Sequence, residues 1–210
     1  MQTNLKNIQI DNSLPIIICD ADEVIFEFMK SFDKYLNNNN MHFSYNSFKL
    51  NGNISYLKDN KVVEADKIQN IILDFFKNCT LNMPLIKDSK KTLKELKKYT
   101  NIVILSNIPK TYASYRVKCL KNNNMNYNFL YNNGPKGNVC RELEKLTSKK
   151  TFFIDDLPNQ ITSVSDSTKK VITIHFLQNE KLLKILPEVK NSNFNARNWK
   201  QVKKIILNNI

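Results

Sequence analysis

The sequence predicts an α/β fold: a Rossmann-like three-layer α/β/α core with a parallel sheet, plus a small, mainly helical cap inserted after the first strand. Short apolar runs, Ile16-Ile17-Ile18, Ile102-Val103-Ile104-Leu105, Phe152-Phe153-Ile154 and Val171-Ile172-Thr173-Ile174, have strand length and little polar alternation, as strands covered on both faces do. Segments of helical periodicity separate them, and alternating strands and helices imply parallel strands joined by right-handed crossovers. The stretch before Pro84 breaks the alternation, which places the core at 1–27 and 84–210 and the inserted cap at 28–83.

In chain order, a polar lead-in over 1–13 precedes the first strand. Phe28, Phe32, Tyr35 and Leu36 then fall at helical spacing within Ile25–Leu36, and the run Asn37-Asn38-Asn39-Asn40 ends that helix. Asn51-Gly52-Asn53 is a turn signal for a short hairpin. A second helix is expected over Val62–Cys79, with Ile68, Ile71, Ile72 and Phe75 on one face. After Pro84, Asp88-Ser89 is expected to cap a helix running to Tyr99. Further helices are expected over Thr111–Leu120, Val139–Leu146 and Gln160–Ser165, a short strand at Phe129–Tyr131, and an amphipathic helix at Trp199–Leu207. No internal repeat is visible.

A chain of 210 residues suffices for one large domain with an insertion. Its apolar runs are too short to cross a bilayer, and Met1–Asn7 lacks the basic start and apolar stretch of a secretory leader, so the expected location is cytoplasmic, with no membrane partner. Cys19, Cys79, Cys119 and Cys140 have no paired spacing, which argues against a zinc site or a disulfide framework. The formal charge of +13 raises the question of nucleic acid. Yet the lysines are spread along helix-like segments and Arg116, Arg141 and Arg197 are dispersed, so a nucleic-acid partner is not favoured and a field attracting a small phosphorylated molecule is.

Several strands end on polar residues: Asp20 and Asp22 after the first, Ser106 and Asn107 after the second, Asp155 and Asp156 after a later one. Lys136 lies at a helix start between Gly134 and Gly137. Parallel strands bring their carboxyl ends to one edge, where open α/β sheets bind ligands, so these groups can form one site. Paired carboxylates repel one another unless a cation shares the site or one holds a proton. A carboxylate attacking a phosphate dianion faces the same repulsion, which a hard divalent cation and a lysine offset.

The ordered set Asp20-x-Asp22, Ser106, Lys136, Asp155-Asp156 resembles the four motifs of the haloacid dehalogenase-like (HAD) hydrolases, over roughly 14–27 and 84–175. The resemblance implies a Mg²⁺-dependent phosphatase acting on a small phosphorylated metabolite through an aspartyl phosphate. Asp20 would be the nucleophile and Asp22 the acid/base, while Ser106, Asn107 and Lys136 would bind the phosphoryl group. Asp20, Asp22 through its backbone carbonyl, Asp155 and Asp156 would be the metal set. Asn159 departs from the further acid that many relatives carry there. Asp22 disfavours carbon–halogen cleavage, because dehalogenating relatives lack that residue. The alternatives are a phosphohydrolase of nucleotides or nucleic-acid ends, and a catalytically silent HAD-like binding protein. Tyr45, Phe48 and Tyr56 are candidates for lining a substrate pocket in the cap.

Overall fold

In chain order the elements are β1 (Ile16–Cys19), α1 (Phe28–Asn38), β2 (Met41–Phe43), β3 (Ile54–Tyr56), α2 (Ala65–Cys79), α3 (Ser89–Leu96), β4 (Asn101–Ser106), α4 (Ala113–Asn122), β5 (Asn128–Tyr131), α5 (Gly137–Glu144), β6 (Thr151–Asp155), α6 (Pro158–Ser167), β7 (Val171–Phe176), α7 (Glu180–Leu183), β8 (Phe194–Ala196) and α8 (Trp199–Leu207). The computed structural model describes residues 5, 8–186, 189 and 191–210, so part of the polar lead-in lies outside the described residues. No described helix is long and apolar enough to cross a membrane.

Six strands form a sheet in the order β5-β4-β1-β6-β7-β8, every neighbouring pair parallel. β1 is central, which explains why all four of its residues are buried and why its sequence lacks alternation. Ile16 and Ile18 pack with Val103, Leu105 and Phe153 against Leu143 of α5 and Ile161 and Val164 of α6. Ile17 and Cys19 face the other way, with Ile104, Phe152 and Ile154, toward Leu93 of α3, Leu120 of α4 and Trp199 of α8. The result is the three-layer arrangement the sequence predicts.

The chain leaves this core at Phe26 and returns at Leu85, and the two crossings pair antiparallel. Glu27 N–H donates to the Pro84 carbonyl and Ile86 N–H to the Ile25 carbonyl, both at 2.8 Å, so the exit and re-entry are stitched side by side. Between them α1 packs on α2 through aromatic rings. Phe75 meets the edges of Phe28 and Phe32 at 5.1 Å, and the Tyr35 hydroxyl donates to Asp74 at 2.7 Å. β2 and β3 pair as the expected hairpin, with Gly52 in the connecting 44–53 segment at φ +82°, a conformation that glycine adopts without steric cost.

Some boundaries differ from expectation. α1 starts at Phe28 rather than Ile25, because the Ala21 carbonyl accepts from both Ile25 and Phe26 N–H and holds 20–27 in a tight loop. Asp88 does not cap α3 with its side chain; it sits at φ +66° and Ser89 Oγ donates to the Ile25 carbonyl instead. β8 and α7 lie beyond the last strand expected from sequence.

Candidate active site

β1, β4 and β6 end side by side, and the residues that follow them share one edge of the sheet. Asp20 N–H donates to the Ile154 carbonyl at 2.9 Å, continuing the β1–β6 ladder one step and fixing the Asp20 backbone beside Asp155. Lys136, the residue before α5, reaches into this edge from the β5 side. Its ammonium donates to Asp20 Oδ1 and, at 2.6 Å, to Asp155 Oδ2, and it is almost fully buried. Thus Asp20 and Asp155, which lie 116 positions before and 19 positions after Lys136 in sequence, meet through one ammonium.

The Lys136 backbone is held as firmly as its side chain. Its N–H donates to Gln160 Oε1 at 2.9 Å, Gln160 Nε2 donates to the Gly134 carbonyl at 3.3 Å, and Gly137 N–H donates to Ser163 Oγ at 3.1 Å. Gln160 and Ser163 both belong to α6, so α6 sets where the lysine stands. A Cβ on Gly137 would lie 2.1 Å from Ser167 Oγ and 2.3 Å from the Ser163 carbonyl, closer than side chains tolerate. We expect Gly137→Ala to push α5 from α6, lowering stability by about 1–3 kcal/mol and turnover with it. Chemical denaturation and steady-state kinetics on the variant would check both.

Asp22 lies across the same loop. Its Oδ1 accepts from Arg116 Nη2, and the guanidinium, fully buried, stacks over the Phe26 ring at 4.5 Å. Burial raises the Asp22 carboxyl above the usual range, and the Arg116 charge opposes that shift. Asp22 keeps about 20% of its side chain exposed, so it is the carboxyl of this group that solvent reaches. Glu23 occupies the left-handed region at φ +57° and spends its carboxylate on the fold: Oε2 accepts from Met29 N–H at 2.8 Å and Oε1 from Asn179 Nδ2 at 3.0 Å. It closes the start of α1 where no side-chain cap exists.

Asp155 uses its second oxygen, Oδ1, to accept from Leu157 N–H at 2.9 Å. Burial pushes its carboxyl up to about 6, against the pull of the Lys136 charge. Asp156 is also buried and raised well above its ordinary value, first by burial and then by the neighbouring charge of Asp155; its backbone carbonyl lies 2.8 Å from His175 Nε2. Among the described residues, no three His, Cys, Asp or Glu side chains already stand together as a metal cluster, since Lys136 lies between Asp20 and Asp155. The donor set nonetheless suits a hard cation. Asp20, Asp155 and Asp156 are buried carboxyl groups on one cavity, the first two sharing a single ammonium, a set of oxygen donors that a divalent ion would suit.

The other expected residues fall differently. Ser106 Oγ is fully buried and has no hydrogen-bond partner among the described residues, so it does not serve a backbone group as strand-end hydroxyls commonly do. Asn107 faces the cavity, but its amide is committed: Nδ2 donates to the Gly134 carbonyl at 2.9 Å and Oδ1 accepts from Asn132 Nδ2 at 2.8 Å. Asn159 is exposed. A cavity of about 280 Å³ opens onto Asp20, Asp22, Lys136, Asp155 and Asp156. Of the three cap aromatics considered from sequence, Phe48 lines it. The Tyr45 hydroxyl donates to Asp33 at 2.7 Å, and the Tyr56 hydroxyl accepts from Lys67 at 3.4 Å, both outside the cavity.

No family model and no curated protein matches the chain. Solved structures do resemble it. A candidate HAD-hydrolase, YfnB from Bacillus subtilis bound to magnesium, superposes with TM-score 0.64 at 12% identity, covering 92% of this chain and 99% of its own. The haloacid dehalogenase-like family protein SP0104 from Streptococcus pneumoniae gives 0.60 at 12%, covering 93% and 99%. A protein named as a predicted phosphoglycolate phosphatase, from Haemophilus somnus, gives 0.59 at 14%, covering 91% and 97%. The chain therefore shares the fold of these proteins over more than nine-tenths of its length.

Proposed function

We propose that the protein is a phosphoric monoester hydrolase of the HAD type, using Mg²⁺ and transferring phosphate through Asp20. The observation that carries this reading is the buried Lys136 ammonium bridging Asp20 and Asp155 at the carboxyl edge of the sheet. A buried charge triad of this kind is costly to keep for stability alone. It is suited to receiving a dianion beside a carboxylate nucleophile, because the ammonium lowers the repulsion between them.

In the first step an Asp20 carboxylate oxygen bonds to phosphorus as the phosphorus–oxygen bond to the leaving group breaks. Asp22 protonates the departing oxygen; Arg116 holds its Oδ1, leaving Oδ2 for the proton. In the second step water attacks the aspartyl phosphate and gives its proton to Asp22, and phosphate leaves with Asp20 restored. Ser106 Oγ, buried without a partner at the end of β4, is not among the residues lining the cavity, so in this reading Lys136 carries the phosphoryl contact. Asp20, Asp155 and Asp156, with the Asp22 carbonyl, would hold Mg²⁺, which supplies charge neutralisation. The fold likeness to hydrolases, one of them magnesium-bound, supports this reading.

Phosphate release from p-nitrophenyl phosphate tests it. With Mg²⁺ we expect turnover, with excess EDTA a loss of about a hundredfold or more, and with Asp22→Asn a loss of about 10²–10⁴-fold. Turnover unaffected by EDTA would remove the metal from the proposal. Wild-type rates in Asp22→Asn would remove the acid/base.

A further inference from the structure

The wall of the cavity opposite the carboxylates has a chemistry of its own. Phe28, Phe43, Phe48, Leu50, Phe76 and Leu182 converge there, drawn from α1, β2, the 44–53 segment, α2 and α7. The cavity's polar side chains are the acids, Lys136 and Asn107, all on the sheet-edge side except Glu23, and Glu23 and Asn107 already have their hydrogen-bond partners. Among the described residues, no Arg, Ser, Thr, Tyr, Gln or His lines the cavity, and its only Lys is Lys136. The wall is also braced. Phe28 stacks toward Phe32 at 5.8 Å and tilts on Phe76 at 6.0 Å, and Phe43 is met edge-on by Tyr45 at 4.9 Å, whose hydroxyl is anchored on Asp33.

Resting on the phosphatase reading, we propose that the leaving group of the substrate is apolar and about the size of one aromatic ring, and that this wall selects it against hydroxyl-rich sugar phosphates. A leaving group held between the Asp22 carboxyl and six apolar side chains has no partner for a polyol's hydroxyls, which would give up hydrogen bonds to water on entry. A flat apolar group loses nothing polar and gains the burial of both its faces. The volume of about 280 Å³, part of it taken by the phosphoryl group, suits a leaving group of one ring.

The test compares phenyl phosphate, glucose 6-phosphate and acetyl phosphate as substrates, with Mg²⁺, in wild type and Phe48→Asn. Phe48 is only half-buried, so the substitution spares the core. We expect kcat/KM for phenyl phosphate to exceed that for glucose 6-phosphate by roughly 30-fold or more. Phe48→Asn should lower the phenyl phosphate value about fivefold to tenfold and leave acetyl phosphate, whose leaving group is too small to reach the wall, within twofold. Equal rates on the phenyl and sugar esters, or an equal loss on all three in Phe48→Asn, would overturn the proposal. If no ester turns over, the phosphatase reading fails, and calorimetric binding judges the wall separately. Phenylphosphonate binding about tenfold or more tighter than methylphosphonate would sustain an apolar pocket, and equal affinities would overturn it.

Discussion

Replacing Asp20 with Asn is expected to lower phosphate release by about 10⁴-fold or more, since in the proposed mechanism it removes the atom that forms the covalent bond rather than a group that assists it. The substitution keeps the side chain's shape, and Lys136 keeps Asp155 as a partner, so the fold should persist with a modest loss from one charge-assisted hydrogen bond, about 1.5–3 kcal/mol. The decisive readout is covalent: acid quenching of wild type with radiolabelled phenyl phosphate should trap label on protein, and Asp20→Asn should trap none. Label retained on the variant would place the nucleophile elsewhere. Loss of turnover with the stability of wild type would fit equally, because the proposed role concerns chemistry and not packing.

The way Asp20 reaches its position also shows which features the sequence revealed. A buried central strand needs uninterrupted apolar residues, and an acid directly after such a run stands out; β1, β4 and β6 were therefore readable together with Asp20, Asp22, Ser106 and Asp155-Asp156 at their ends. Lys136 was readable because glycines flank it in a chain that has three of them. Arg116 was not. It sits on α4 among residues of mixed polarity, and nothing local distinguishes an arginine turned inward onto Asp22, 94 positions away, from one in solvent. Gln160 and Ser163 escaped for the same reason, since their partners at Lys136 and Gly137 are set by the packing of α5 on α6. β8 was missed because it is an edge strand of three residues, with an exposed Asn195 in its middle and one neighbour to pair with, which leaves little hydrophobic pattern to read. Glu23 could have been suspected, as an acid shortly before a helix start, but its left-handed backbone is a product of the loop's own hydrogen bonds.

Lys136→Met separates charge from volume at the centre of the site. Methionine fills most of the space of the lysine stem, so the expected cost comes chiefly from leaving Asp20 and Asp155 buried without their cation, about 3–5 kcal/mol in metal-free buffer at neutral pH. Its pH dependence follows from Asp155, whose folded carboxyl is already raised from 3.8 to about 6 by burial. A raised acid binds its proton more tightly folded than unfolded, so its contribution to stability is full below the unfolded value and is lost as pH rises through the folded one. Removing the lysine charge raises these carboxyls further, so the deficit of Lys136→Met relative to wild type should shrink as pH falls from 7 toward 5, measured by urea unfolding in EDTA. If charge is the cause, adding Asp155→Asn to Lys136→Met should recover part of the loss, although Asp155→Asn alone destabilises by taking a partner from Lys136. A double variant that loses as much stability as the two single variants combined, or more, would mean that the lysine acts by packing, and the electrostatic account of the site would fail with it.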